Sequence, residues 1–180
     1  MSVQIKMFGK TEEVIEAGLA DKIHDLMMAV MVLDFTDITA GIKSPVSPKT
    51  LEAFAARLES WAEKEGKHPI YIQESDVYIV AMEDDNILGV ATMNWDTDIA
   101  SKGFRLSNVF VVPTARRRGI ASKMVDAAVK CGQDNNITFM SLNVAYHNKA
   151  AQALYAKYGF EPARLNMMRP MEPKAKENVD

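Results

Sequence analysis

LSNVFVVPTARRRGIASKMVDAAV (residues 106–129) joins an apolar run, a basic turn and a helical stripe in one segment. Its first part, 106–112, is an apolar run closed by Pro113 and reads as a buried strand. From Gly119 onward, apolar residues at 121, 124, 125, 128 and 129 have helical spacing. A strand, a basic turn and a helix N-terminus therefore follow one another. The first N–H groups of a helix have no intrahelical partner, and the helix dipole is positive at that end, so the end favours a phosphate. Gly119 lets backbone approach such a group because it has no Cβ. Arg116, Arg117 and Arg118 add charge beside it, and the local reading is a pyrophosphate cradle. Taken alone, the three arginines also fit a solvated basic turn.

Working outward, the C-terminal side predicts a strand over 137–144, a helix over 148–158 stopped by Gly159, and a last strand over 165–168. Cys131 falls on the helix that begins at Gly119, as a small apolar group. On the N-terminal side, 77–82 and 87–95 read as two strands joined by the tight polar turn Glu83-Asp84-Asp85-Asn86. Val3, Ile5 and Met7 alternate with polar residues and predict a first strand. Thr11 is the expected cap of the next helix, whose apolar stripe runs from Val14 through Met31 with Gly18 as a weak point. Residues 34–46 read as a loop, and Ser47-Pro48 opens a second helix that Gly66 can end. One strand, two helices, a hairpin or meander, then strand–helix–strand–helix–strand: this order predicts an α+β fold with a mixed sheet and one βαβ crossover over 106–144.

Bulk properties narrow the function classes. A chain of 180 residues with 48% hydrophobic and 25% charged residues suits one domain with a sizeable core. The expected domain covers 1–170, with 171–180 as a polar tail. A net charge of −3 gives no general attraction to nucleic acid or membranes. One cysteine excludes an intrachain disulfide and a cysteine-rich zinc site, and no metal is expected. With no long apolar run and no signal-peptide core at the N-terminus, the expected location is cytoplasmic. No Gly-Lys-Ser/Thr follows Gly119, which disfavours a Walker-type nucleotide site.

Two blocks in order resemble the GCN5-related N-acetyltransferase (GNAT) superfamily. Arg116-Arg117-Arg118-Gly119-Ile120-Ala121 fits that family's Gln/Arg-x-x-Gly-x-Gly/Ala phosphate signature. Asn148 through Phe160 resembles its Asn-x-x-Ala-x-x-Leu-Tyr-x-x-x-Gly-Phe segment. The resemblance covers about 104–170. It implies a mixed, mostly antiparallel sheet flanked by helices, in which the strand at 106–112 carries a bulge and splays from the strand at 137–144 to hold acetyl-CoA as co-substrate. Backbone groups of Val109, Phe110 and Val111 would meet the pantetheine arm and thioester carbonyl. Arg116, Arg117, Arg118, Gly119, Ile120, Ala121 and Ser122 would hold the pyrophosphate, and Asn148 would touch the pantetheine. Tyr155 would be the general acid near the thioester sulfur. By periodicity alone, Tyr155 on the stripe Ala151, Leu154, Tyr155, Tyr158 also fits core packing.

The chemistry implied is acyl transfer to the primary amine of a small molecule or peptide. At pH 7 only about one lysine-type amine in 2,500 is neutral, so a base or an ordered water chain must take its proton. Family members place carboxylates where this chain has Ser107 and Asn108, or Asn143. No obvious base stands there, and a water relay through Asn143, Ser107 or backbone carbonyls stays open. His147 is adjacent in sequence, but a lone loop histidine reads as solvated, and Glu83, Asp84 and Asp85 occupy a hairpin turn and read as surface charge rather than catalytic groups. Residues 74–98 hold seven acids and no Lys or Arg, which suits a cationic acceptor or merely solvates turns. The expected partners are acetyl-CoA and an amine acceptor, with no nucleic acid and no membrane; the oligomeric state stays open, a homodimer included. A module of the same fold that binds CoA without turnover, as a sensor or adaptor, is the alternative.

Overall fold

The computed structural model describes residues 2–40, 53, 56, 60, 64–68, 70, 74–95 and 103–167, without the side chains of 31–40. A five-stranded sheet carries β1 (Gln4–Phe8), β2 (Val77–Glu83), β3 (Asn86–Trp95), β4 (Gly103–Val111) and β5 (Phe139–Leu142) in sequence order. The first four strands pair antiparallel and β5 runs parallel to β4. Helices α1 (Thr11–Glu16) and α2 (Ala20–Ala40) precede β2, α3 (Ile120–Asp134) joins β4 to β5, and α4 (Lys149–Ala156) follows β5. The fold is the expected α+β arrangement, a mixed and mostly antiparallel sheet flanked by helices.

The central strands of the sheet, β2 and β3, are buried on both faces. From β2, Tyr78, Val80 and Met82 point to one core with Val14, Ala20, Ile23 and Met27 of α1 and α2. Ile79 and Ala81 point to the other, with Ile120, Met124, Val125 and Ala128 of α3 and Tyr155 of α4. This two-sided burial explains why 77–82 is a continuous apolar run rather than an alternating one. The β2–β3 hairpin closes with Glu83 opposite Asn86, and Asp84 takes the positive φ of 53° that such a short turn requires.

Strand β4 carries a bulge. Val90 pairs with Phe110, but Thr92 pairs with Ser107, so one residue of β3 faces Asn108 and Val109 together. Asn108 sits at φ 53° and its amide donates to Thr92 Oγ1 at 3.0 Å. The insertion reverses the side-chain alternation: Phe104 and Leu106 belong to the α3-side core before it, Val109 and Val111 after it, while Phe110 turns to the α2 side. Gly89, opposite Val111, permits this path, because a Cβ there would lie 2.7 Å from the Phe110 carbonyl oxygen.

Several local expectations are corrected. Thr11 does not cap α1; the N-cap is Lys10, and the Thr11 hydroxyl is buried against Tyr78 Oη at 2.8 Å. Glu13 instead accepts from the Gly9 N–H at 2.8 Å. Gly18 does more than weaken a helix: at φ 67° it ends α1 and separates it from α2. Residues 34–40 are helical rather than loop. β5 is confined to Phe139–Leu142, with 143–145 outside it. Residues 165–167 form no strand and are exposed; Met168 lies outside the described residues, as do the Ser47-Pro48 helix start and the 171–180 tail. Ala53, Ala56, Ser60 and Lys64 are helical, and Gly66 has φ 61° just after them.

Candidate functional site

β4 and β5 pair from Gly103–Phe139 to Leu106–Leu142 and no further. β4 continues to Val111, so Ser107 through Val111 leave backbone groups unclaimed by β5 on that side. The bulge at Asn108 begins just where the pairing stops. Steric demand inside the βαβ unit is met by Gly103, where any Cβ would overlap the Phe139 ring.

Beyond β4 the chain turns through Pro113–Ala115, a short 3₁₀ segment, into the arginines. Arg117 has φ 65° and Gly119, the N-cap of α3, has φ 74°. A non-glycine residue in the left-handed region is uncommon, and a left-handed residue next to a right-handed one, as at Gly119 and the first residue of α3, turns successive N–H groups into an anion-binding concavity. The first intrahelical bond runs from Lys123 N–H to the Gly119 carbonyl at 3.1 Å, so the N–H groups of Ile120, Ala121 and Ser122 precede the helical ladder. Nothing lies within 4 Å of where a Gly119 Cβ would stand. The Ile120 side chain is buried in the core, so that residue offers only its backbone to the concavity.

The three arginines differ. Arg116 Nε donates to the Val111 carbonyl at 3.1 Å and its guanidinium stands 5.8 Å from the Phe110 ring centroid. It thereby joins the turn to the end of β4. Arg118 is paired with Glu83 of the β2–β3 hairpin, and that bond holds the Glu83 carboxyl below its ordinary value. Arg117 is exposed. Two of the acids in 74–98 thus have local partners: Glu83 holds Arg118, and Asp76 accepts from the Trp95 N–H at 2.8 Å. Asp96 and Asp98 lie outside the described residues.

α4 brings the second motif to the same region. Asn148 is its N-cap, accepting from the Ala151 N–H at 3.1 Å, a local role its residue type and position already suggest. Gln152 holds the preceding loop through the carbonyls of Ala145 and Tyr146 at 2.9 and 2.7 Å. Tyr155 is 9% exposed and lies in one core cluster with Leu106, Ile120 and Met124, against which Val109 and Val111 pack. Its ring meets Phe160 edge-on at 5.9 Å. Tyr155 is therefore a core residue, as its stripe suggests, in the core beside the unpaired end of β4 and the α3 N-terminus. Ser107 is half-buried, and Asn143 and His147 are exposed. The residue that sequence reasoning missed is Tyr158, whose hydroxyl donates to the Ser122 carbonyl at 3.0 Å. Its only signal was its place on the Tyr155 stripe. Among the described residues no helix is long and apolar enough to cross a membrane.

Comparison with known proteins shows the family and the fold. Residues 47–160 match the model of the acetyltransferase (GNAT) family. An uncharacterized N-acetyltransferase of Bacillus subtilis, YhfO, is 26% identical over 87 residues, which is 47% of this chain and 58% of that protein. The chain thus spans little more than half the length of that relative. The crystal structure of a GCN5-related N-acetyltransferase from Ralstonia eutropha shares the fold at a TM-score of 0.60 and 18% identity, covering 94% of this chain and 99% of that one. So does a Clostridium acetobutylicum protein described as a predicted acetyltransferase with acetyl-CoA, at a TM-score of 0.53 and 18% identity, covering 93% and 96%.

Proposed function

Since the chain belongs to the acetyltransferase (GNAT) family, we propose that it transfers an acetyl group from acetyl-CoA to the primary amine of a small molecule or peptide. The observation that carries this reading is the conjunction at β4: a bulge at Asn108, the loss of β5 pairing after Leu106, and a turn with Arg117 and Gly119 left-handed that opens α3. The residues present fit the co-substrate. Open space at Gly119 and the N–H groups of Ile120, Ala121 and Ser122 suit a pyrophosphate, and Arg116, Arg117 and Arg118 supply charge around it.

When bound, acetyl-CoA supplies a thioester whose carbonyl carbon accepts the amine and whose C–S bond then breaks. The chain's own work is as follows. Backbone groups of Val109, Phe110 and Val111 line up the pantetheine arm, and an N–H on this strand polarises the carbonyl oxygen. The Asn148 amide adds a pantetheine contact. Tyr155 delivers a proton to the departing thiolate, an effect worth about 10²–10⁴ in rate. A water relay past Ser107 and Asn143 removes the ammonium proton, since neither position carries a carboxylate.

The test is release of free CoA thiol from acetyl-CoA over a panel of primary amines: a polyamine, an aminoglycoside and a lysine-bearing peptide. Amine-dependent release is the expected result. A protein that binds acetyl-CoA yet releases thiol with none of them is instead a CoA-binding sensor or adaptor.

A further inference from the structure

The Tyr158 hydroxyl crosses from the end of α4 to the first turn of α3. It donates to the Ser122 carbonyl, 36 positions away in sequence, at 3.0 Å. Burial pushes the Tyr158 hydroxyl above its ordinary value, and the Asp126 carboxylate one turn beyond Ser122 acts in the same direction. At its other end, Tyr158 is fixed to Tyr155. The Tyr158 N–H donates to the Tyr155 carbonyl at 2.9 Å, and the Phe160 N–H reaches the same oxygen at 3.2 Å. Gly159, at φ 79°, makes the turn that allows both bonds. A short chain of bonds thus runs from the N–H end of α3, through the Ser122 carbonyl and the Tyr158 side chain, to the backbone of Tyr155. α4 spans only Lys149–Ala156 and is too short to hold its own orientation without such ties.

We propose that Tyr158 is a positioning residue: its bond to Ser122 sets the spacing between the anion-binding end of α3 and Tyr155. The inference rests on the function proposed above, because it assumes that phosphates bind at that end and that Tyr155 delivers the proton. A shift of even a fraction of an ångström in a proton donor slows the chemical step while leaving co-substrate binding at α3 in place.

The experiment compares the parent with Tyr158→Phe, Tyr155→Phe and the double variant. It measures melting temperature, CoA titration and kcat per CoA-binding site. Tyr158→Phe keeps the ring and its packing. It is expected to titrate CoA with unchanged stoichiometry and a Kd within about twofold of the parent, while kcat falls about tenfold, the size of one lost hydrogen bond. Because Tyr158 acts through Tyr155, adding Tyr158→Phe to Tyr155→Phe should lower kcat no further. An unchanged kcat in Tyr158→Phe overturns the inference. So does a loss that repeats in full on top of Tyr155→Phe, which is how a merely structural residue behaves. A parent that binds no CoA overturns the proposed function and this inference with it; a parent that binds and turns over beside an unaffected Tyr158→Phe overturns the inference alone.

Discussion

At the scale of single residues, the chemistry depends on a few groups whose surroundings settle what they are free to do. Arg118 and Arg116 are engaged with Glu83 and the Val111 carbonyl, so they brace the turn as well as charging it. Tyr155 has the sharper test. Replacing it by Phe removes the hydroxyl and leaves its edge-on contact with Phe160 and its place in the core. Tyr155→Phe is therefore expected to melt and bind acetyl-CoA like the parent while kcat drops about 10²-fold or more. Steady-state kinetics beside a thermal melt check it, and an undiminished kcat assigns the proton to water or another group. At this scale the sequence was legible where a role is local: Gly119 before a helix, Gly159 after one. It was not legible where a partner is distant. Thr11 reads as a cap, yet its hydroxyl meets Tyr78, 67 positions away, and nothing in the neighbourhood of either residue announces that bond.

At the scale of elements, the proposed site rests on the bulge at Asn108, the close approach at Gly89 and the left-handed Gly119. The apolar run over 106–112 looks like a plain buried strand because both faces of β4 are covered, which hides the change of alternation at Asn108. Only the two cores, seen together, reveal it. The resemblance implied the bulge and the splay; residue periodicity did not. By contrast β2, β3 and α3 were legible, since their lengths are set by polar turns and by a clear helical stripe. The N-terminal helix was misread in its interior and at its C-terminal end, because Gly18 divides it into α1 and α2 and residues 34–40 extend α2. The tightness of the bulged region yields a prediction. A Gly89→Ala Cβ would lie 2.7 Å from the Phe110 carbonyl oxygen and 3.2 Å from Met124 Cε, with backbone that cannot swing aside. Overpacking of this kind costs about 1–3 kcal/mol. Gly103→Ala presses instead on the tip of the half-buried Phe139 ring, which can turn away, so the smaller loss is expected there. Urea denaturation of the two variants against the parent gives the order, and a Gly89→Ala protein as stable as the parent would mean that the bulge is not pinned by β3.

At the scale of the whole molecule, a sheet whose central strands are buried on both faces holds a rigid frame from which one strand is released. The α3-side core joins β4, the start of α3 and Tyr155 in one packed cluster, so a ligand that engages the α3 N-terminus and the free edge of β4 stabilises the fold as a unit. Linkage sets the size: acetyl-CoA at about 100 times its Kd adds about 2.7 kcal/mol to the folded state. The most direct measurement is a calorimetric titration of acetyl-CoA into the parent and into Gly119→Glu, each followed by a melt. The variant places a Cβ at φ 74° and a carboxylate where the pyrophosphate is proposed to bind, while the open space around Gly119 spares the core. One site per chain and a raised melting temperature are expected in the parent, with at least about a tenfold loss of affinity in Gly119→Glu, equivalent to losing one charge-assisted contact. A silent titration of the parent, or a Gly119→Glu protein that binds as tightly as the parent, would contradict the proposed site.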